Sequence, residues 1–205
     1  MVDVLTTNKT NFFREPAHFD FIRDTVLPGC RGTSRPLRAW SAGCSSGEEP
    51  YTLAMVIQES LPEAEKRDIR ILATDISSVV LGRARAGIYE EHQMSGVPDA
   101  YRRKYFTRAR DPLTGAFRYQ VGPGLRSLVA VARLNLMDRW IMSGPFDLIL
   151  CRNVMIYFDR DTRSRLLRRF TDILRVGGYL LVGHSESLNS MNHDLTYVQP
   201  AVYRK

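Results

Sequence analysis

Short apolar runs alternate with helix-like segments along most of this chain, and few folds accept that order. "PLRAWSAG", "DIRILATDI", "FDLILCRNV" and "GYLLVGH" read as strands. Between the first two, "EEPYTLAMVIQESLP" carries acids and a proline in its first turn and Pro62 beyond its end, the start and stop signals of a helix. "SSVVLGRARAGIY" predicts a second helix, with Ser77 or Ser78 as N-cap and Gly87 near its end. "RDTRSRLLRRFTDILRVGG" predicts a third, ending in glycines. "FDLILCRNV" is apolar without interruption, as expected of a strand covered on both faces. The order predicts an α/β fold with a mostly parallel sheet.

Three further segments complete the outline. "EPAHFDFIRDTVLP" predicts an amphipathic helix before the first strand, with Phe19, Ile22 and Val26 on one face. "LTYVQPAVYRK" predicts a last strand. From Tyr105 to Leu134, turn signals at Asp111-Pro112 and Thr114-Gly115 separate strand-like runs. They predict a small antiparallel insertion, followed by a strand that rejoins the main sheet.

Bulk properties narrow the classes. The 205 residues, 44% of them hydrophobic, suit one large domain and predict a monomer. No apolar run approaches the ~20 residues of a membrane span, and the N-terminus lacks a secretory pattern. The three cysteines, Cys30, Cys44 and Cys151, are widely spaced and form no CxxC, which predicts reduced thiols in a cytoplasmic protein. The net charge of +7 leaves open nucleic acid, an acidic protein surface or an anionic membrane face. The densest basic run, Arg160 to Arg169, turns its leucines one way and its arginines the other. No aromatics alternate with these arginines, so a nucleic-acid partner is not expected. His18, His92 and His193 match no metal-ligand spacing, and no metal is expected.

Ligands in open α/β sheets sit at the carboxyl ends of the strands. Three features converge there. The loop Ser41–Gly47, in "WSAGCSSGEEPYTLA", offers glycines that allow close backbone approach, and a helix start follows it. Asp75, in "ATDI", ends the second strand, where an acid can accept hydrogen bonds from both hydroxyls of a ribose. "CRNV" ends the later buried strand. The glycine pattern, A-G-C-S-S-G, is not that of a dinucleotide site and fits a structural turn equally well. Glu48 and Glu49 sit where a pyrophosphate would rest, and they oppose an anion while tolerating a cation. First-turn helix stabilisation would also account for them. Together with Asp75, they favour a phosphate-free, cationic nucleoside, which describes S-adenosylmethionine (SAM).

At this point the residues resemble the chemotaxis receptor glutamate methyltransferases (CheR). The resemblance rests on "TTNKTNFFRE", "WSAGCSSGEEPYTLA", "ATDI", "GIY", "CRNVMIYFD" and "GGYLLVGHSES", in that order and almost end to end. It implies a Rossmann-like SAM-dependent methyltransferase fold over residues 1–205, with residues 105–121 as an inserted β-subdomain. It implies transfer of a methyl group from SAM to glutamates of chemoreceptors, leaving S-adenosylhomocysteine. By matching position it implies that Asn8, Thr10 and Arg14 line the cofactor site, together with Gly43 and with Glu48 or Glu49, Glu49 being favoured. Asp75 would bind the ribose, Asn135 and Leu136 would lie beside the adenosine, and Arg152 and Asn153 would border the cofactor. Arg14 and Tyr157 would face the reacting methyl. The β-subdomain would meet the receptor or its C-terminal tail. Family members carry a helical domain before the "TTN" motif, whereas five residues precede it here, so most or all of that domain is expected to be missing.

Other readings fit less well. "GHSES" invites a hydrolase, with Ser185 as nucleophile, but Ser187 stands where the nucleophile elbow has glycine, and a loop-like segment follows. A non-enzymatic SAM-binding or adaptor module, or a methyltransferase for another substrate, is the remaining alternative. "NVMIY" lacks the prolines of the Asn-Pro-Pro-Tyr turn seen in many amine methyltransferases, which weighs against an amine target.

Overall fold

The computed structural model of the chain describes residues 10–31, 35–61, 64–111, 115–188 and 191–205. The central strand explains the architecture. β7 (Phe146–Cys151) is buried along its whole length. Its Leu148 and Leu150 join one apolar cluster, while Ile149 and Cys151 join another on the opposite face. A strand covered on both sides needs layers on both sides, and the sheet order provides them. The order is β6-β2-β1-β7-β8-β10-β9, with β1 Leu37–Ala42, β2 Ile69–Asp75, β6 Val129–Arg133, β8 Leu174–Val182, β9 Thr196–Gln199 and β10 Val202–Arg204. β6, β2, β1, β7 and β8 run parallel, and the hairpin β9–β10 closes the far edge antiparallel.

One layer holds α1 (Pro16–Phe21) and α2 (Glu48–Ser60). Nearly every residue of α2 is buried, as for a helix packed all round. After α1 the chain continues through a wider π-type turn, Ile22–Val26, and Phe19, Ile22 and Val26 all enter the core. The other layer holds α6 (Arg160–Ile173), whose Leu166, Leu167 and Phe170 pack against Trp40 of β1 and Leu180 and Val182 of β8. α3 (Ser78–Ala86) leads into β3 (Ile88–Glu90). After α4 (Asp99–Tyr105), β4 (Phe106–Arg110) and β5 (Phe117–Val121) pair with it as a three-stranded antiparallel sheet ordered β3-β5-β4. The short α5 (Pro123–Arg126) then returns the chain to β6. No helix among the described residues is long and apolar enough to cross a membrane.

Three local expectations differ from the structure. The arginine-rich helix ends at Ile173, and Gly177 and Gly178 lie inside β8. There the C-terminus pairs with them: the Gly177 amide donates to Lys205, the Lys205 amide donates to Gly178, and the Lys205 ammonium caps Thr171 and Leu174 carbonyls. Ile88 and Tyr89 are strand, not helix, because Gly87 takes the left-handed conformation that ends α3. The last segment is a hairpin, turning at Pro200 and Ala201.

The strand order reverses between β1 and β7, since the chain builds outward from β1 through β2 to β6 and then crosses back to β7. A crevice opens at the carboxyl ends of strands at such a switch point.

Candidate active site

The loops leaving β1 and β7 flank that crevice and interlock. Gly43 has φ +89, and a Cβ there would lie 2.3 Å from Val154 Cγ2, so only glycine lets the two turns meet. The β1 turn is also braced from the small sheet, where the Tyr89 hydroxyl donates to the Ser46 carbonyl at 2.8 Å. Phe12 stacks edge-on against Tyr89, which seats the N-terminal segment across the crevice. Around the resulting cleft, Phe13, Glu15, Ser45 and Asn153 all adopt left-handed backbone. Such strain costs on the order of 1–3 kcal/mol per residue and persists only where packing enforces it.

One ion cluster forms an end of the cleft. Arg152 is buried and donates to Glu49 Oε2 at 2.9 Å and to Glu15 Oε2 at 3.1 Å. It also donates to the Arg14 carbonyl. Glu49 is fixed further by the Ser41 hydroxyl at 2.6 Å. Burial pushes the Glu49 carboxyl above its ordinary range, against the pull of Arg152 and Ser41. Burial acts upward on Glu15 as well, but Arg152 and neighbouring histidines outweigh it and hold that carboxyl low. The cluster carries two carboxylates against one guanidinium, a balance that favours a cation and disfavours an anion when both are ionised.

At the other end, Asp75 Oδ2 accepts the Ser45 amide and Oδ1 the Ser77 amide, each at 3.0 Å. Each oxygen keeps a lone pair for a further donor, as a ribose diol requires. Asn135 and Leu136 close this end. The Leu136 carbonyl is held by Arg169, whose guanidinium lies 3.9 Å from the Trp140 ring centre. That arginine of the basic run therefore supports the cleft and is not part of a solvated face.

Matching the whole chain to known proteins agrees with this geometry. Residues 8–203 fit the family described as CheR methyltransferase, SAM binding domain. The chain belongs to the CheR methyltransferase family. A chemotaxis protein methyltransferase of Borreliella burgdorferi is 43% identical over 100% of this chain and 73% of its own length. Chemotaxis protein methyltransferase 2 of Pseudomonas aeruginosa is 40% identical over 98% of this chain and 71% of its own. The Escherichia coli chemotaxis protein methyltransferase is 40% identical over 98% and 68% respectively. The chain is accordingly a SAM-dependent methyltransferase of chemotaxis, with the Rossmann-like fold of that class.

Among the residues singled out in the sequence, the CheR fold brings Thr10, Arg14, Gly43, Glu49, Asp75, Asn135, Leu136, Arg152, Asn153 and Tyr157 to one cleft. Tyr157 is 52% exposed at its rim, open to a macromolecule. Asn8 lies outside the described residues. Glu48 is not brought to the cleft. It is buried on the other side of the helix start, accepting from the Ser46 hydroxyl at 2.7 Å and from Gln93 at 3.3 Å. Burial raises its carboxyl above the ordinary range, which the Ser46 contact only partly offsets. Ser45 of the Ser41–Gly47 loop, Ile76 and Ser185 also line the cleft; the sequence marked Ser185 only as a hydrolase nucleophile and did not mark Ile76. Ile76 stood inside a quoted motif without carrying a chemical signal of its own.

Behind Arg152, His18 is fully buried and its ring nitrogens make no hydrogen bond, although Nδ1 lies 3.4 Å from Glu15 Oε2. Glu15, His18 and His184 bring their donor atoms within 4.8 Å of one another. Arg152 already occupies Glu15, so this group carries its own cation. Burial first, and then Arg152, lower the His18 pKa from 6.5 to about 4. Within that window the unfolded chain binds a proton that the folded chain does not, so stability falls as the pH drops. We expect His18 to account for a loss of up to about 3 kcal/mol between neutral pH and pH ~4. Denaturant titrations across that range should show His18→Gln losing markedly less stability than the wild type.

Proposed function

We propose that the chain methylates glutamate side chains of chemoreceptors, producing γ-methyl esters in the cytoplasm as a monomer. The observation that carries this is a single cleft in which Asp75 and Glu49 share space with Arg14 and an exposed Tyr157. SAM, when bound, supplies a methyl group on a positively charged sulfur, already activated for departure. In this reading Asp75 takes the ribose, Asn135 and Leu136 flank the adenine, and the carboxylates of the Arg152 cluster suit the cationic end. Residues 1–205 act as one catalytic domain.

The acceptor needs little activation. A glutamate carboxylate is ionised at neutral pH, with an ordinary pKa of about 4.3, so no general base is required. What remains is to hold the carboxylate in line and keep water out. Orientation of this kind contributes up to ~7–11 kcal/mol in favourable cases. Arg14 suits a bidentate grip on the carboxylate, and the Tyr157 hydroxyl suits aiming one of its oxygens. Labelled methyl transferred to receptor membranes, then released as methanol by base, measures the reaction. Arg14→Ala and Tyr157→Phe should each lower kcat on the order of 100-fold with little change in SAM affinity. Near-normal turnover in both would remove these two roles.

Glu49 and Glu48 separate cofactor binding from helix support. Calorimetry should find SAM affinity weakened roughly 10–100-fold in Glu49→Gln, as for loss of a charge-assisted hydrogen bond. It should be unchanged in Glu48→Gln. The reverse pattern would reassign the contact.

Residues 105–121 form, in this reading, a β-subdomain that meets the receptor or its C-terminal tail. Methylation rates for receptors with and without that tail test the second part. A slower rate on tail-less receptors is expected, and equal rates would exclude a tether.

A further inference from the structure

"GHSES" is the sequence motif that the proposed chemistry leaves unused. Its Glu186 is 3% exposed, and both its carboxylate oxygens accept backbone amides. Oε2 accepts the amides of Asn153 and Gly183, each at 2.7 Å, and Oε1 accepts the amide of Ile156 at 3.1 Å. The bonds this carboxylate makes are to three backbone amides and none is to His184, which weighs against the hydrolase reading. Nor does Glu186 line the cleft. What it does touch is the turn that carries Tyr157.

That turn is anchored in the core by Met155, 1% exposed, and Arg163 donates to the Ile156 and Phe158 carbonyls, while the amides of Asn153 and Ile156 rely on Glu186. Asn153 has left-handed backbone, with φ 59, and leaves the regular pairing of β7. Met155–Tyr157 is a single 3-10 turn, too short to hold itself. The Asn153 amide precedes this turn and the Ile156 amide lies within it, and the Glu186 carboxylate ties both to Gly183 at the end of β8. Gly183 makes the approach possible: a Cβ there would fall 2.6 Å from Asn153 Nδ2 and 2.8 Å from Glu186 Oε2.

We propose that Glu186 is a positioning residue for Tyr157: its buried carboxylate fixes the amide side of the Asn153–Tyr157 turn and so keeps the tyrosine on the cleft. The proposal rests on the role given to Tyr157 above. Chemistry predicts what an isosteric change does. Glutamine keeps one carbonyl oxygen, which can serve the Asn153 and Gly183 amides, but then sets an NH2 against the Ile156 N–H. An amide next to Tyr157 is left unpaired and repelled.

A double-mutant cycle tests the coupling. The methanol assay on receptor membranes is run with wild type, Glu186→Gln, Tyr157→Phe and the double variant, and calorimetry with S-adenosylhomocysteine checks that each is folded. Glu186→Gln should lower kcat roughly tenfold or more, with a smaller change in KM for SAM. In the Tyr157→Phe background it should have little further effect. Glu186→Asp, which keeps both acceptor oxygens, should recover part of the activity, and it replaces Glu186→Gln in the cycle if the glutamine variant does not fold. Additive losses, wild-type kcat in Glu186→Gln, or an aspartate variant that folds but is no better than glutamine would overturn the proposal. Tyr157→Phe measured alone separates the two ideas: full activity there discards the role of Tyr157, and with it the coupling.

Discussion

One buried guanidinium holds the cleft together. Arg152 leaves the end of β7 and meets Glu49 from the start of α2 and Glu15 from the N-terminal segment. It also takes the carbonyl of Arg14, so three stretches remote in sequence are joined at one charge. Without the arginine, two carboxylates would stand side by side in a buried site, each raising the other's cost of ionisation. With it, both can be charged while the cluster keeps one net negative charge. The same contact that closes the structure therefore sets the sign of ligand it accepts.

The rest of the site is a set of turns forced together against their own preferences. Arg14 lies between Phe13 and Glu15, both in left-handed backbone. The kinks let the backbone of Arg14 approach Arg152 while Phe12 packs into the core beside Tyr89. Glycine at 43 permits contact with Val154, and glycine at 183 permits contact with Asn153. A site whose geometry comes from such packing is rigid before substrate arrives, which is what an alignment-driven reaction needs. The three cysteines offer it no reactive thiol: Cys44 lines the cleft, yet all three are buried, and burial raises the thiols of Cys44 and Cys151 well above their ordinary range.

Much of this was legible beforehand, for identifiable reasons. The parallel sheet showed in the apolar run of β7, because a strand covered on both faces has no polar alternation to preserve. Asp75 was legible because it ends a strand, where side chains meet the crevice whatever the details. Misreadings came where long-range pairing overrides local signals. Gly177 and Gly178 look like a helix end, yet the C-terminal strand draws them into β8. Arg169 looks solvated within its run, yet a carbonyl and an indole on a neighbouring loop capture it. Glu186 looked like part of a failed catalytic motif, and only the folded chain brings it to amides some thirty residues away.

The adjacent acids of "GEEP" mark the boundary between the two kinds of knowledge. By itself the sequence determined the α/β order, a ligand site at the carboxyl ends of the strands and the preference for a cationic nucleoside, since these follow from periodicity, residue type and charge, and its motifs carried the resemblance to the family. It could not choose between Glu48 and Glu49. Consecutive helical residues point about 100° apart, so one of the pair must turn from any given surface. Which one turns away is set by how α2 seats between the sheet and the small subdomain, and that depends on contacts with Arg152, Ser41 and Gln93 that exist only in the tertiary structure.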